Sequence, residues 1–379
     1  MLPRRIITVM IMSALLIATV KLVGFQFYFE AEKIQNYSNE TFEAPEIPPE
    51  CACKSNKTGE IYDFCYRFPE NPKRKGKKFS CEWVEKWEEI ESPAKSKFIS
   101  FETDEIPEPV FLAALDSVYF DKGLRLVSLL RRLGYRNKFV IYDLGVNPEA
   151  LEKFQKAACN VEIRKFNFPA YPDYVKKLKE YRWKAIAIAE TLRDYGAVWY
   201  LDTSLIIKKP GLTELQEFVK CQKTASEQPT PVRFCQKSPY LLHSDSGHGI
   251  WAATHPGVFS YLPSNIKKLK KREAWMFEAG FIFTVNSQQA MIDIVKWYFL
   301  CSLEKDCMAP PGAQLTCTFG KDWFTRHAGC HRYDQSVINV LLANLYWYDS
   351  QYYSSGVNRD GFFEVNRSPT MYEEHFECE

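Results

Sequence analysis

The sequence predicts an α/β domain, a sheet flanked by helices, behind an apolar amino-terminal segment and a small cysteine-rich module. Three observations predict it. From about residue 98 short apolar runs alternate with helical patterns, an isolated apolar run lies near the amino terminus, and all twelve cysteines follow residue 50. The chain has 379 residues, 49 Lys+Arg against 47 Asp+Glu, and a net charge of +2. That balance argues against a nucleic-acid-binding surface or a polyacidic tail. A hydrophobic content of 46% supplies a sizeable core.

The elements of the domain follow in order. Val110-Phe111-Leu112-Ala113-Ala114-Leu115 is a continuous apolar run, as expected of a buried parallel strand. A helix carrying Leu124, Leu126, Val127, Leu129 and Leu130 follows and ends at Gly134. Lys138–Tyr142 is the second strand, and Asn147-Pro148-Glu149 opens the second helix with Asn147 as N-cap. Asn160–Ile163 is the third strand, Trp183–Tyr195 the third helix, and Ala197–Leu201 the fourth strand. This series favours a parallel sheet whose ligands bind at the carboxyl ends of the strands. Further on, residues 221–250 read as polar loop, and Asn265–Arg272 as a solvated basic helix face. Phe281–Val285 reads as a strand, Ala290–Leu300 as an apolar helix, and Ser336–Leu345 as a helix introduced by Asp334.

The amino terminus sets the expected compartment. Arg4 and Arg5 precede an apolar run from Ile6 to Val20, which Lys21 interrupts before Leu22–Phe25. With Phe25, Phe27, Tyr28 and Phe29 as an interfacial belt this makes a signal anchor at residues 6–28, with residues 1–5 in the cytoplasm. A cleaved signal peptide is the alternative, and both export the remainder. Asn36, Asn39, Asn56 and Asn366 each begin a glycosylation sequon. Residues 29–50 read as a Pro- and Glu-rich stem, 51–97 as a cysteine-rich module, 98–350 as the main domain and 351–379 as a tail. The basic run 72–78 inside the module reads as a solvated loop. An exported chain favours disulfides, with Cys317–Cys330, Cys301–Cys307 and Cys221–Cys235 as local pairs and Cys159 as a buried thiol. A zinc site from His327, Cys330, His331 and Cys317 fits the spacing of common closed sites poorly.

The chemistry centres on Tyr200-Leu201-Asp202-Thr203-Ser204, where an apolar strand ends in an acid facing the ligand crevice. A turn former or a cap is the alternative role for Asp202. Two further blocks follow, Phe277-Glu278-Ala279-Gly280-Phe281-Ile282-Phe283 and Asp334-Gln335-Ser336-Val337-Ile338-Asn339.

In this order the three blocks resemble those of nucleotide-sugar glycosyltransferases of the GT-A fold, of the glycogenin and lipopolysaccharide galactosyltransferase type. The resemblance spans about residues 105–348. The chain is also similar to animal glycosyltransferase-like proteins with Asp-x-Ser at this site. The resemblance implies a Rossmann-type mixed sheet and a divalent ion, manganese or magnesium, held at Asp202. Here Ser204 stands where the family has a second Asp, so the donor's phosphates or protein cations would share that task. Lys184, where the family often has a basic residue, is a candidate cation; a helix-surface lysine is the alternative. Glu278 replaces an Asn and becomes a candidate base or a structural carboxylate. Asp334 would contact a sugar, cap its helix, or both. The resemblance implies that Asp116, Ser117 and Asp143 hold the nucleoside, with a turn-forming role as the alternative.

These readings lead to one expectation, a type II Golgi membrane glycosyltransferase using a UDP-sugar donor and a glycan or glycoprotein acceptor. A non-catalytic glycan- or protein-binding relative is the alternative.

Overall fold

Strands β5 (Val110–Leu115), β6 (Phe139–Asp143), β7 (Val161–Lys165) and β8 (Ala197–Leu201) are mutually parallel. Two antiparallel strands, β10 (Tyr240–Gly249) and β11 (Trp275–Val285), extend the β8 edge. The six-stranded order is β10-β11-β8-β5-β6-β7, a mixed sheet. The computed structural model describes residues 46–101, 103–219, 238–356, 361–368 and 374–377. The described residues from Pro48 onward belong to one compact unit. The expected anchor at 6–28 and the expected Cys221–Cys235 pair lie outside the described residues. Among the described residues no helix is long and apolar enough to cross a membrane.

Period-two alternation explains why the sheet is covered on both faces. On β8, Val198 and Tyr200 enter one core while Ala197, Trp199 and Leu201 enter the other. Helix α2 (Phe120–Arg132) packs Leu126, Val127 and Leu130 with the second set. Helix α3 (Pro148–Ala157) starts as expected, because Asn147 Oδ1 accepts from the amides of Glu149 and Ala150. Helix α4 (Arg182–Tyr195) stops at Gly196, whose φ of 80° favours a residue without Cβ.

Helix α1 (Val84–Lys95) belongs to the cysteine-rich segment, with the hairpins β1 (Ala52–Lys54)–β2 (Ile61–Asp63) and β3 (Arg67–Phe68)–β4 (Asn71–Lys75). Disulfides Cys51–Cys65 and Cys53–Cys81 tie it together. Its Phe64, Phe79 and Trp87 join the same core as α4, so the segment packs onto the main domain. Cys301–Cys307 and Cys317–Cys330 form as expected, which takes both cysteines away from a zinc site.

Several expectations need correction. Cys159 is disulfide-bonded and half-buried, not a buried thiol. The polar stretch before Ile250 contains β10, because backbone pairing with β11 tolerates polar side chains and two register shifts. The basic run at 72–78 lies partly in β4, an exposed edge strand rather than a loop. The second basic run makes only one helical turn, Ile266–Leu269. The apolar helix after β11 begins as a π-helical turn, Ala290–Val295, and continues as α5 (Lys296–Leu303). Helix α6 (Asp334–Leu345) takes Asp334 as its first residue, so its N-cap is Tyr333 and not Asp334. Part of the expected tail forms β12 (Phe363–Val365), paired with β9 (Leu205–Ile207).

Candidate active site

A cavity of about 350 Å3 opens beyond the carboxyl end of β8. Asp202, Ser204, Lys184, Glu278 and Asp334 all line it. The three sequence blocks meet there through specific bonds. The Asp202 amide donates to the Gly280 carbonyl at 2.8 Å. A Cβ on Gly280 would stand 2.6 Å from Asp202 Oδ2, so only glycine lets β11 pass this closely. Asn339 on α6 clamps β11, its Oδ1 accepting from the Phe277 amide at 2.8 Å and its Nδ2 donating to the Phe277 carbonyl at 2.7 Å.

The Lys184 ammonium lies at the base of the cavity, and the residue is 2% exposed. It donates to Asp334 Oδ2 at 2.7 Å and to the Ala279 carbonyl at 2.9 Å, and lies 3.3 Å from Asp202 Oδ1. The rings of Tyr200, Tyr181 and Trp183 surround it at 4.9, 5.3 and 6.0 Å. Burial disfavours its charge, but the Asp202 and Asp334 carboxylates outweigh this and raise its pKa. Lys184 is therefore a buried cation and not a helix-surface lysine. Burial raises the Asp334 pKa, opposed by Lys184. Tyr200 donates its hydroxyl proton to Asp202 Oδ1 at 2.6 Å.

Glu278 faces Ser244 across the β10–β11 ladder, and Ser244 Oγ donates to Glu278 Oε2 at 2.7 Å. Its other oxygen lies 3.7 Å from Arg367 Nη2. Ser204 lines the cavity, and its carbonyl accepts from the Asn366 amide at 2.8 Å.

Asp116, Ser117 and Asp143 lie outside the cavity lining. Asp116 Oδ1 accepts from the amides of Val118 and Tyr119, fixing the turn that brings Tyr119 to the cavity. Asp143 Oδ1 accepts from the amides of Gly145 and Val146, and Ser117 Oγ donates to the Gly145 carbonyl. Their observed bonds are those of turn formers and loop ties.

Lys122, Arg332, Arg367 and Gln335 also line the cavity, and no sequence pattern assigns them a role. Gln335 Nε2 is buried with no hydrogen-bond partner among the described residues. The Arg332 guanidinium is half-buried and makes no hydrogen bond or ion pair among the described residues. Both sit beside Tyr333, whose φ of 44° turns the chain sharply before α6. Tyr181, with φ 53°, makes the corresponding turn before α4 and Lys184. Strained backbone of this kind costs about 1–3 kcal/mol and persists where its surroundings fix it.

The donor set does not suit a divalent ion. A hard cation needs several oxygen ligands, preferably charged. One oxygen of Asp202 already faces Tyr200 and Lys184, Asp334 is paired to Lys184, and Ser204 offers a neutral hydroxyl. Among the described residues the one cluster of three candidate ligands is Cys51, Asp63 and Cys65, far from this site in sequence, whose two cysteines are joined in a disulfide.

Residues 51–189 match the family described as "Protein of unknown function (DUF1647)". No curated protein matches the chain. Solved structures similar to it are glycosyltransferases. The WbbM bifunctional glycosyltransferase is 14% identical over 65% of this chain and 38% of that one, with a TM-score of 0.32. The galactosyltransferase LgtC, solved with donor and acceptor sugar analogues, is 14% identical over 50% of this chain and 63% of that one, with a TM-score of 0.29. Core-mannan synthase A from Aspergillus fumigatus, in a Mn/GDP form, is 9% identical over 71% and 79%, with a TM-score of 0.39. The chain thus spans less than two thirds of the length of the first two.

Proposed function

We propose that the chain is a glycosyltransferase that moves a sugar from a nucleotide-sugar, a UDP-sugar, to a hydroxyl of a glycan or glycoprotein. One observation carries the reading: the cavity at the end of β8 sets Glu278 and Asp202 against Arg332, Lys122 and Arg367. Glycosyl transfer breaks the bond between the anomeric carbon and the diphosphate oxygen and forms one to the acceptor oxygen. The leaving diphosphate gathers negative charge, which the guanidinium and ammonium groups stabilise. The acceptor hydroxyl loses its proton, and the Glu278 carboxylate takes it. The Gln335 amide, whose Nε2 has no hydrogen-bond partner among the described residues, donates to a sugar oxygen.

The three sequence blocks support the same reading, since the bonds between Asp202 and Gly280 and between Asn339 and Phe277 give their order a purpose. We place the enzyme in the secretory pathway as a type II Golgi membrane protein, on the anchor pattern at 6–28 and the sequons. A second reading, a binding protein without turnover, is favoured by the pairing of Asp202 and Asp334 with Lys184.

The test is a screen of UDP-sugars against the purified full-length chain, following both thermal stabilisation and release of UDP. Stabilisation with UDP release supports the enzyme. Stabilisation without release, across donors and glycan acceptors, supports the binding protein. No response to any nucleotide-sugar removes both nucleotide-sugar readings. Protease protection in sealed microsomes tests the orientation, and a cytoplasmic carboxyl terminus would exclude it.

A further inference from the structure

We infer that this chain holds its diphosphate donor with protein cations in place of a divalent metal, a conclusion that rests on the nucleotide-sugar reading above. A metal in such a site would offset the acidic side chains and receive the phosphates. Here two sets of side chains divide those tasks.

The first task belongs to Lys184. Its ammonium donates to Asp334 Oδ2 at 2.7 Å and to the Ala279 carbonyl at 2.9 Å, and Asp202 Oδ1 is an ion-pair partner at 3.3 Å. The ammonium is enclosed by aromatic rings. It supplies the positive charge at the acidic pair and is held there by its bonds to Asp334 and the Ala279 carbonyl. A divalent ion brought to Asp202 would meet this ammonium at close range, and the repulsion opposes its entry. Lys184 is thus a positioning residue that holds the Asp202 and Asp334 side chains in place.

The second task belongs to Arg332. Its guanidinium lines the cavity, is half-buried, and makes no hydrogen bond or ion pair among the described residues. An arginine in such a place has its full fork of donors available for a planar or tetrahedral oxyanion. Lys122 and Arg367 add charge at the same cavity, with Lys122 Nζ donating to the Arg367 carbonyl at 2.6 Å. Buried Gln335 Nε2, also without a partner, supplies a neutral donor alongside.

The experiment measures UDP binding to the full-length chain by calorimetry, in excess EDTA and with added manganese. The expected affinities agree within about twofold, because no metal bridges ligand and protein. Arg332→Ala weakens UDP about tenfold or more, and Arg332→Lys, which keeps the charge without the fork, falls between. Binding that requires manganese and is lost in EDTA overturns the inference and leaves the glycosyltransferase reading standing. Metal-independent binding that is unchanged in Arg332→Ala also overturns it. Absence of UDP binding under both conditions overturns the inference together with the UDP-sugar reading. The EDTA comparison uses the unaltered chain, so a poorly folding variant does not weaken the test.

Discussion

Lys184 Nζ lies 2.7 Å from Asp334 Oδ2, and the two residues are 2% and 4% exposed. Helix α4 supplies the cation and helix α6 the anion, and both follow a tyrosine with positive φ. The pair therefore joins two helices that enter the site by strained turns. A buried ion pair of this kind adds little net stability when intact, yet breaking it leaves a charge in the interior.

Lys184→Met is expected to cost about 3–5 kcal/mol of unfolding free energy, because it strands the Asp334 carboxylate. The double variant Lys184→Met with Asp334→Asn should recover a good part of that loss. Urea denaturation of the single and double variants checks this. Additive losses would show that the two groups are not coupled.

Gly280→Ala should injure the site more than the fold. The new Cβ would stand 2.6 Å from Asp202 Oδ2 and 3.1 Å from its Cγ, so the carboxylate must shift. A displacement near 1 Å at a reacting centre costs about 100-fold in rate. The expected outcome is a loss of UDP release of that order with a small change in melting temperature. Unchanged turnover would remove Asp202 from the reaction.

The sheet and the cation sites were unequally legible in the sequence. Strands β5 and β8 are buried on both faces, so they read as continuous apolar runs with the observed bounds. Strand β10 did not read as a strand, because its second half, Ser244–Gly249, is polar and held by backbone bonds to β11. Asp202 stood out as an acid ending an apolar strand, and Glu278 through the resemblance of its block to a glycosyltransferase block. Arg332 did not, since its place depends on the positive-φ turn at Tyr333, which no periodicity announces. Arg367 reaches the cavity because β12 pairs with β9, a contact across about 160 residues that local pattern does not encode.

Acid should weaken the fold through His331. This residue is fully buried, its Nε2 3.0 Å from the Met308 carbonyl while its Nδ1 accepts from the His255 amide at 3.2 Å. Burial pushes its pKa down to about 3, against the pull of the Met308 carbonyl. The unfolded chain binds this proton near pH 6.5 and the folded chain does not, so stability is lost as pH falls from about 6.5 toward about 3. The contribution is at most about 1.4 kcal/mol per pH unit in that window. His331→Gln should flatten the slope between about pH 6.5 and pH 5, above most carboxylate titration. Part of the slope will persist, because burial also lowers the pKa of His248 and His255. A slope unchanged by the substitution would assign the acid response elsewhere.

Glu278→Gln separates a base from a structural carboxylate. The amide has nearly the same shape and can still accept from Ser244 Oγ, which lies 2.7 Å from Glu278 Oε2. What it loses is the ability to take a proton from an acceptor hydroxyl. A base contributes about 100- to 10,000-fold to the rate. The expected result is a fall in kcat of that size, with UDP affinity and melting temperature near those of the unaltered chain. A large drop in melting temperature with kcat retained in the folded fraction would give Glu278 a structural role, as a tie between β10 and β11. The same substitution also removes the weak attraction to Arg367, 3.7 Å away and largely exposed, which screening by water makes minor.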